Sequence, residues 1–299
     1  MGVLRSPSDS GTPTSPVPDV DSPRLPDMFS DLAGAVVLVV HAHPDDEVFA
    51  TGAATIAAKA AGATAHLRLF TGGEGRSAPL TPAALATARR RKEARLTTST
   101  TLLGIDTWAY LTEPGRWTDT PHAPERTISA AEIGDLAVPV AEAIEALRPE
   151  VLLTVGADGL TGHPDHIACH RAVAHALAVA AHRPRAALGA FLDRRAVKVG
   201  GETARAIIGD AVGSGRVTGM TPGAAAITVV GPPGTEGRRR QALDSYVPGL
   251  GTLPAGDLTS DRIGTGDSAL LRFVLDASGW VHDRFTEIPA RPGSPEVTQ

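Results

Sequence analysis

An apolar run at residues 36–40 leads directly into a dense group of imidazole and carboxylate side chains at residues 41–47, which read His-Ala-His-Pro-Asp-Asp-Glu. The run has the length and branched composition of a buried strand. A second apolar run, Val151–Val155, precedes His-Pro-Asp-His at residues 163–166. Because functional groups in α/β folds lie beyond the carboxyl ends of parallel strands, the two polar segments are predicted to share one site.

Strand-like and helix-like segments alternate through the first two thirds of the chain. Strands are predicted at 35–40, 65–70, 107–111 and 151–155, and helices at 47–61, 81–103, 129–147 and from 164 onward. Pro82 suits the first turn of its helix, while Ser129 and Glu132 suggest a capping box. This alternation predicts an α/β fold with a Rossmann-like, mostly parallel sheet flanked by helices.

The periodicity weakens beyond about residue 182. Short strands are predicted at 225–230 and 269–275, on either side of a helix at 235–246. This C-terminal part is expected to add short strands around a pocket. The predicted organisation is a disordered arm over 1–30, a single domain over 31–288 and a flexible tail over 289–299.

The composition narrows the classes of function. A net charge of −5 gives no basic field, so we predict no nucleic-acid and no membrane partner. No segment approaches the ~18 apolar residues of a membrane span, and residues 1–30 lack the apolar middle of a signal peptide, so a cytoplasmic location is predicted. The single cysteine, Cys169, excludes an intrachain disulfide and a zinc site built on several thiolates.

The residue types of the two polar segments fit a catalytic metal site. His43 and Asp46 can point into one space, and His166 can complete a three-ligand set. Two histidines and one carboxylate with an open position are typical of catalytic Zn2+. Ligand chemistry alone also permits Fe2+, Mn2+ or Co2+, and Zn2+ is the first choice.

The remaining polar side chains suit proton transfer. A bound metal would lower the pKa of its water toward ~7, and Asp45, next to a ligand, suits a general base that accepts the proton. His163 can donate to an oxyanion or protonate a leaving amine. Asp165 can fix the tautomer of a neighbouring histidine.

Several of these residues also have a purely structural interpretation. The acidic residues 45–47 would favour the N-terminus of the following helix in any case, but the second cluster at another strand end favours a site. His170 lies one turn after His166 and is interpreted as structural. His41 is predicted to be a core or supporting histidine, and Cys169 a small buried hydrophobe.

Both segments resemble motifs of the PIG-L/LmbE-like family of zinc-dependent N-acetylglucosaminyl deacetylases. The first motif, Ala-His-Pro-Asp-Asp-Glu, stands at 42–47, and the second, His-Pro-Asp-His, at 163–166. The resemblance extends over about residues 36–177. The last third departs from the family pattern, because residues 242–248 read Ala-Leu-Asp-Ser-Tyr-Val-Pro without the usual Gln.

The resemblance implies the same roles as the residues themselves. It makes His43, Asp46 and His166 the zinc ligands, Asp45 the general base and His163 the oxyanion or leaving-group partner.

The resemblance also suggests substrate contacts. The loop at 115–119 is similar to that of the family's mycothiol-pathway deacetylases. By that similarity, Arg90 and Asp119 are candidate substrate-binding residues.

The predicted activity is hydrolysis of the N-acetyl group of an N-acetylglucosamine-type sugar or glycoconjugate, a small-molecule amino-sugar substrate. Cleavage of a mycothiol S-conjugate and deacetylation of an antibiotic intermediate are alternative reactions. A noncatalytic metal-dependent binding protein is the alternative of another class. The sequence leaves the oligomeric state open.

Overall fold

The structure is a computed structural model that describes residues 29, 31–74, 81–120, 122–223 and 225–289. The predicted N-terminal arm and C-terminal tail lie outside these residues, apart from 29 and 289. Within the described ranges, none of the helices combines the length and the apolar character that a membrane crossing needs.

A seven-stranded sheet forms the centre of the fold. Its strands are β1 Val36–His41, β2 Thr64–Leu69, β3 Thr107–Tyr110, β4 Val151–Val155, β5 Ala186–Phe191, β6 Ile227–Val230 and β7 His282–Glu287. They lie in the order β3-β2-β1-β4-β5-β7-β6. Strands β1 to β5 are parallel, and β7 runs antiparallel to both β5 and β6. The predicted mostly parallel α/β sheet is therefore confirmed.

Helices cover both faces of this sheet. They are α1 Asp46–Phe49, α2 Gly52–Ala60, α3 Pro82–Leu103, α4 Ile133–Leu147, α5 Gly159–Gly162, α6 Pro164–Val179, α7 Arg194–Ile208, α8 Thr235–Tyr246, α9 Ser260–Ile263 and α10 Asp267–Ser278. Side chains of β1 alternate between two buried clusters, with Val37 and Val39 in one and Leu38 and Val40 in the other. A strand buried on both faces explains why the sequence shows an uninterrupted apolar run.

The helix predicted at 47–61 is interrupted and forms α1 and α2. The break follows from tertiary contacts at the end of α1, where the guanidinium of Arg239 donates to the carbonyl oxygens of Val48 and Phe49. Thr51, at the start of α2, bonds instead to the ring of His41. The side chain of Arg239, distant in sequence, thus satisfies carbonyl groups that a continuous helix would use.

The capping box predicted at Ser129 is wrong. Residues Ile128–Ala130 form a short 3-10 helix, and α4 begins only at Ile133. The backbone N–H of Ser129 donates to Asp165 Oδ1 at 3.0 Å. A tertiary contact to the second motif therefore takes the place of the predicted local cap.

The strand predicted at 269–275 is also wrong, because these residues lie within α10. Helix α10 packs closely on α7, where a Cβ added to Gly200 would come within 2.6 Å of the backbone nitrogen of Val274. A short apolar run fits a buried helix as well as a strand, and only this packing decides between them. The helix 235–246 is confirmed, and the strand 225–230 is observed as β6.

Candidate active site

The two polar segments meet because β1 and β4 are neighbouring parallel strands at the centre of the sheet. Each strand delivers its motif to the same edge. His43 Nδ1 and His166 Nε2 lie 3.2 Å apart although 123 residues separate them in sequence. The structure therefore brings the two motifs together as the sequence predicts.

The turn after β1 holds a strained residue. Asp45 has φ 99°, in the left-handed region that a residue with a Cβ rarely adopts. Its backbone N–H donates to Glu47 Oε2 at 2.9 Å, and the N–H of His43 donates to Asp46 Oδ2 at 3.0 Å. Strain of about 1–3 kcal/mol persists where surrounding contacts fix it, and it is typical of functional sites.

The predicted metal ligands form a compact group of three side chains, here called the donor triangle, in which Asp46 turns a different oxygen to each histidine. His43 Nδ1 lies 3.2 Å from His166 Nε2 and 3.8 Å from Asp46 Oδ2, and His166 Nε2 lies 3.0 Å from Asp46 Oδ1. Tetrahedral Zn2+ with bonds of ~2.1 Å would need donor separations near ~3.4 Å. All three residues are buried. The residues present therefore fit a divalent metal ion.

The ring tautomers support the same fit. His166 Nδ1 donates to the carbonyl oxygen of Gly159 at 2.9 Å, and His43 Nε2 donates to Asp165 Oδ2 at 3.3 Å. In neutral rings the opposite nitrogens then carry lone pairs. These two lone pairs face each other at 3.2 Å, an arrangement that a cation between them would stabilise.

The charges around His43 also favour a cation. Burial lowers its pKa, but the carboxylates of Asp119, Asp165 and Asp46 outweigh burial and raise the pKa to about 10. The charge of His166 is the main effect that lowers the pKa of Asp46, against the raising effect of burial. Two further sets of three side chains have donor atoms close enough together to hold a metal ion. One set is His43, His163 and His166, and the other is His43, Asp119 and Asp165.

His163 lies at the N-cap of α6, beside the donor triangle. Its Nδ1 accepts from the backbone N–H of Asp165 at 3.2 Å, so its proton sits on Nε2. Burial, and then the charges of His43 and His166, lower its pKa to about 4. A neutral ring with a free Nε2–H is suited to donating a hydrogen bond to a developing oxyanion.

Asp165 holds the ring of His43, one of the three residues of the donor triangle. It joins the N–H of Ser129 to the ring of His43, and these contacts outweigh burial and hold its pKa at about 2. An ionised carboxylate that accepts from a ligand histidine fixes that ring's orientation.

Asp45 forms an ion pair with Lys92, a contact that could not be predicted from the sequence. Lys92 Nζ, from α3, lies 3.4 Å from Asp45 Oδ2 and 5.2 Å from the centre of the Tyr246 ring. Burial raises the pKa of Asp45, and the Lys92 ammonium counteracts part of that rise. The carboxylate thus has one charged neighbour that steadies its ionised form.

Asp119 lies beside His43, with its Oδ1 3.9 Å from His43 Nε2, and about one third of its side chain is exposed. Its backbone N–H donates to Glu74 Oε2 at 3.3 Å. The carboxyl group of Glu74 is fully buried, and its Oε1 has no hydrogen-bond partner among the described residues.

Arg90, predicted to bind substrate, does not face the candidate active site. It is exposed, and its guanidinium donates to Thr87 on the same helix. Arg89 lies instead with Nη1 3.7 Å from Glu74 Oε1, and a Cβ added to Gly115 would come within 2.6 Å of that nitrogen. The structure therefore turns Arg89, rather than Arg90, toward the loop at 115–119.

The structural interpretations of three other residues are confirmed. His41 is buried and bonds to Thr51, and burial lowers its pKa to about 4. His170 donates from Nδ1 to the carbonyl of Val155 at 2.9 Å. Cys169 is fully buried.

Comparison with known proteins finds a match to one family model. Residues 38–177 match the family model described as PIG-L, GlcNAc-PI de-N-acetylase. The match includes both motifs and ends within α6, so it does not reach β5 or any later element.

Two curated relatives are named 1D-myo-inositol 2-acetamido-2-deoxy-alpha-D-glucopyranoside deacetylase. The one from Kineococcus radiotolerans is 35% identical, over 48% of this chain and 45% of its own. The one from Mycolicibacterium vanbaalenii is 36% identical, over 48% of this chain and 55% of its own. This chain thus spans about half the length of the curated relatives it matches.

A solved structure shares the fold over a longer range. The antimicrobial reagent A40926 pseudoaglycone deacetylase has a TM-score of 0.54 and covers 86% of this chain and 98% of its own, at 17% identity. The likeness therefore includes elements that follow the family match, as a likeness of fold.

Proposed function

Since residues 38–177 match the PIG-L family model, we propose that this chain belongs to that family and is a metal-dependent hydrolase that removes the N-acetyl group of an N-acetylglucosamine-type sugar or glycoconjugate. The observation that carries the proposal is the convergence of three metal donors, a carboxylate and a histidine N–H on one edge of the sheet. The names of the curated relatives support the acetamido sugar as substrate class.

His43, Asp46 and His166 would hold the metal, with Zn2+ as the first candidate. When bound, such an ion lowers the pKa of a water and polarises an amide carbonyl. Asp45 would accept the proton of the attacking water and later deliver it to the departing nitrogen. The His163 Nε2–H would donate to the amide oxygen as negative charge develops there.

The sugar would enter from the side of Asp119, the most exposed of the acidic groups around His43. The carboxylate of Asp119 and the guanidinium of Arg89 would contact its hydroxyl groups. Arg89 takes the role that the resemblance suggests for Arg90, because it faces the loop at 115–119.

The direct test measures primary amine and acetate released by the Zn2+-loaded protein from a panel of N-acetylglucosaminides. The panel includes the inositol-linked sugar, a mycothiol S-conjugate and an acylated glycopeptide. Equal release of amine and acetate that a chelator abolishes would support the proposal. Metal-loaded protein that binds panel members but releases neither product would contradict it and favour a binding protein.

Lys92→Met is expected to shift the acidic limb of the kcat/KM pH profile to higher pH. The Lys92 ammonium lowers the pKa of Asp45, so its loss raises that pKa, and the base stays protonated and inactive up to a higher pH. Activity on the alkaline side of this limb should change little. Lys92→Arg keeps the charge and should restore the wild-type limb, whereas an unshifted limb in Lys92→Met would contradict the pairing.

A further inference from the structure

Glu47 is a fully buried carboxylate that the donor triangle does not use. One of its oxygens, Oε1, accepts from the hydroxyls of Ser99 and Tyr246, each at 2.6 Å. The other, Oε2, accepts from the backbone N–H of Asp45 at 2.9 Å. A buried carboxylate is costly unless its oxygens are satisfied, so these three donors fix where it lies.

The hydrogen bond from the Asp45 N–H to Glu47 affects the proposed general base directly. Asp45 is the residue with the left-handed φ of 99°, and its carboxylate is the proposed proton acceptor. Glu47 holds the backbone nitrogen of this residue, so the position of Glu47 determines how stably the strained turn directs the Asp45 side chain. Small displacements at a reacting group have large kinetic effects.

Tyr246 reaches Glu47 from the end of α8, outside the residues that match the family model. Its ring is almost completely buried, and Lys92 lies over the ring on the side of Asp45. The same helix contributes Arg239, whose Nε donates to the carbonyl of Val48 at 2.6 Å. Helix α8 thus contacts Glu47, the last residue of the first motif, and Val48, which follows it.

We propose that Tyr246 is a positioning residue that acts through Glu47 on Asp45, so that the C-terminal part of the chain sets the geometry of the general base. The inference rests on the proposed function for its kinetic part. Its structural part, the hydroxyl of Tyr246 holding Glu47 against the Asp45 N–H, stands on the hydrogen bonds alone.

The test is Tyr246→Phe in the full-length, metal-loaded protein. The chain contains two tyrosines, and Tyr110 also donates to a glutamate, Glu93, at 3.0 Å. Tyr110→Phe is therefore a matched control that removes the same kind of bond elsewhere. For Tyr246→Phe we expect kcat to fall about 10- to 100-fold with KM changed less than about twofold, and Tyr110→Phe should keep the wild-type kcat.

A second measurement needs no substrate. Hydrogen exchange of the Asp45 amide, followed by NMR, should become at least about 10-fold faster in Tyr246→Phe and remain unchanged in Tyr110→Phe. Metal content and the exchange of β1 amides report whether the variant is folded. In a Glu47→Gln background, Tyr246→Phe should lower kcat much less than it does alone, because both changes break one chain of contacts.

The outcomes separate the two proposals. A wild-type protein that releases no amine would refute the proposed function, and the amide exchange would still decide whether Tyr246 holds Asp45 through Glu47. Wild-type exchange at Asp45 in Tyr246→Phe would overturn the inference. So would a wild-type kcat in a folded, metal-loaded Tyr246→Phe protein, or equal losses of kcat in the two tyrosine variants.

Discussion

Asp45→Asn is expected to lower kcat about 10²- to 10⁴-fold while the protein still binds its metal. The asparagine amide keeps the size of the side chain but cannot accept the proton of the attacking water. The metal should remain because the donor triangle uses His43, Asp46 and His166 and leaves Asp45 out. The turn should also remain, because Glu47 holds the backbone N–H of Asp45, which the substitution keeps.

The measurement combines kcat from amine release with the metal content of the purified variant. Asp106→Asn is the control, since Asp106 is a carboxylate paired with Lys59 on the surface at 2.6 Å, and its loss should leave kcat unchanged. Retention of full activity in Asp45→Asn would exclude Asp45 as the base. Loss of metal together with activity would instead make Asp45 part of the metal site.

The centre of the sheet and the donor triangle could be predicted from the sequence because both depend on local signals. The run at 36–40 is too apolar to be anything but a buried element, and the polar residues follow it immediately. Parallel strands then place the ends of β1 and β4 side by side. His43 and His166 meet for this topological reason, without any long-range signal between them.

The choice between Arg89 and Arg90 could not be predicted in the same way. Residues 89–92 are four consecutive cationic side chains on one helix, and successive residues on a helix point about 100° apart. The sequence does not contain the rotation of α3 about its axis. Packing fixes that rotation, and it places Arg89 and Lys92, three residues apart, on the face toward the site.

The contribution of the C-terminal third to the site could not be predicted from the sequence either. Tyr246 and Arg239 follow a weak pattern, and their partners Glu47 and Val48 lie about 190 to 200 residues earlier. A buried arginine in a sequence looks like any surface arginine until its five donors are assigned. The guanidinium of Arg239 donates to backbone carbonyl oxygens, and it lies 2.7 Å from Asp283 Oδ1. No local periodicity of the sequence indicates these contacts.

His166→Ala is expected to lower the affinity for Zn2+ at least about 100-fold and to reduce activity in parallel. The change removes one of the two lone pairs that face each other and leaves Asp46 with a single histidine partner. Calorimetric titration of the metal-free protein with Zn2+ gives the affinity without reference to any substrate. His170→Ala is the control, because His170 lies one turn later on α6 and bonds only to the carbonyl of Val155 among the contacts that the structure describes.

The metal-free protein supplies a further discriminating result for the same variant. Without the metal, the raised pKa of His43 keeps a proton between the two rings, so that His43 and His166 hold each other by a hydrogen bond. Zn2+ should raise the melting temperature of the wild type and have much less effect on that of His166→Ala, each compared with its own metal-free form. Equal stabilisation of both proteins by Zn2+ would mean that the ion binds elsewhere, and His166 would then be a structural residue of α6.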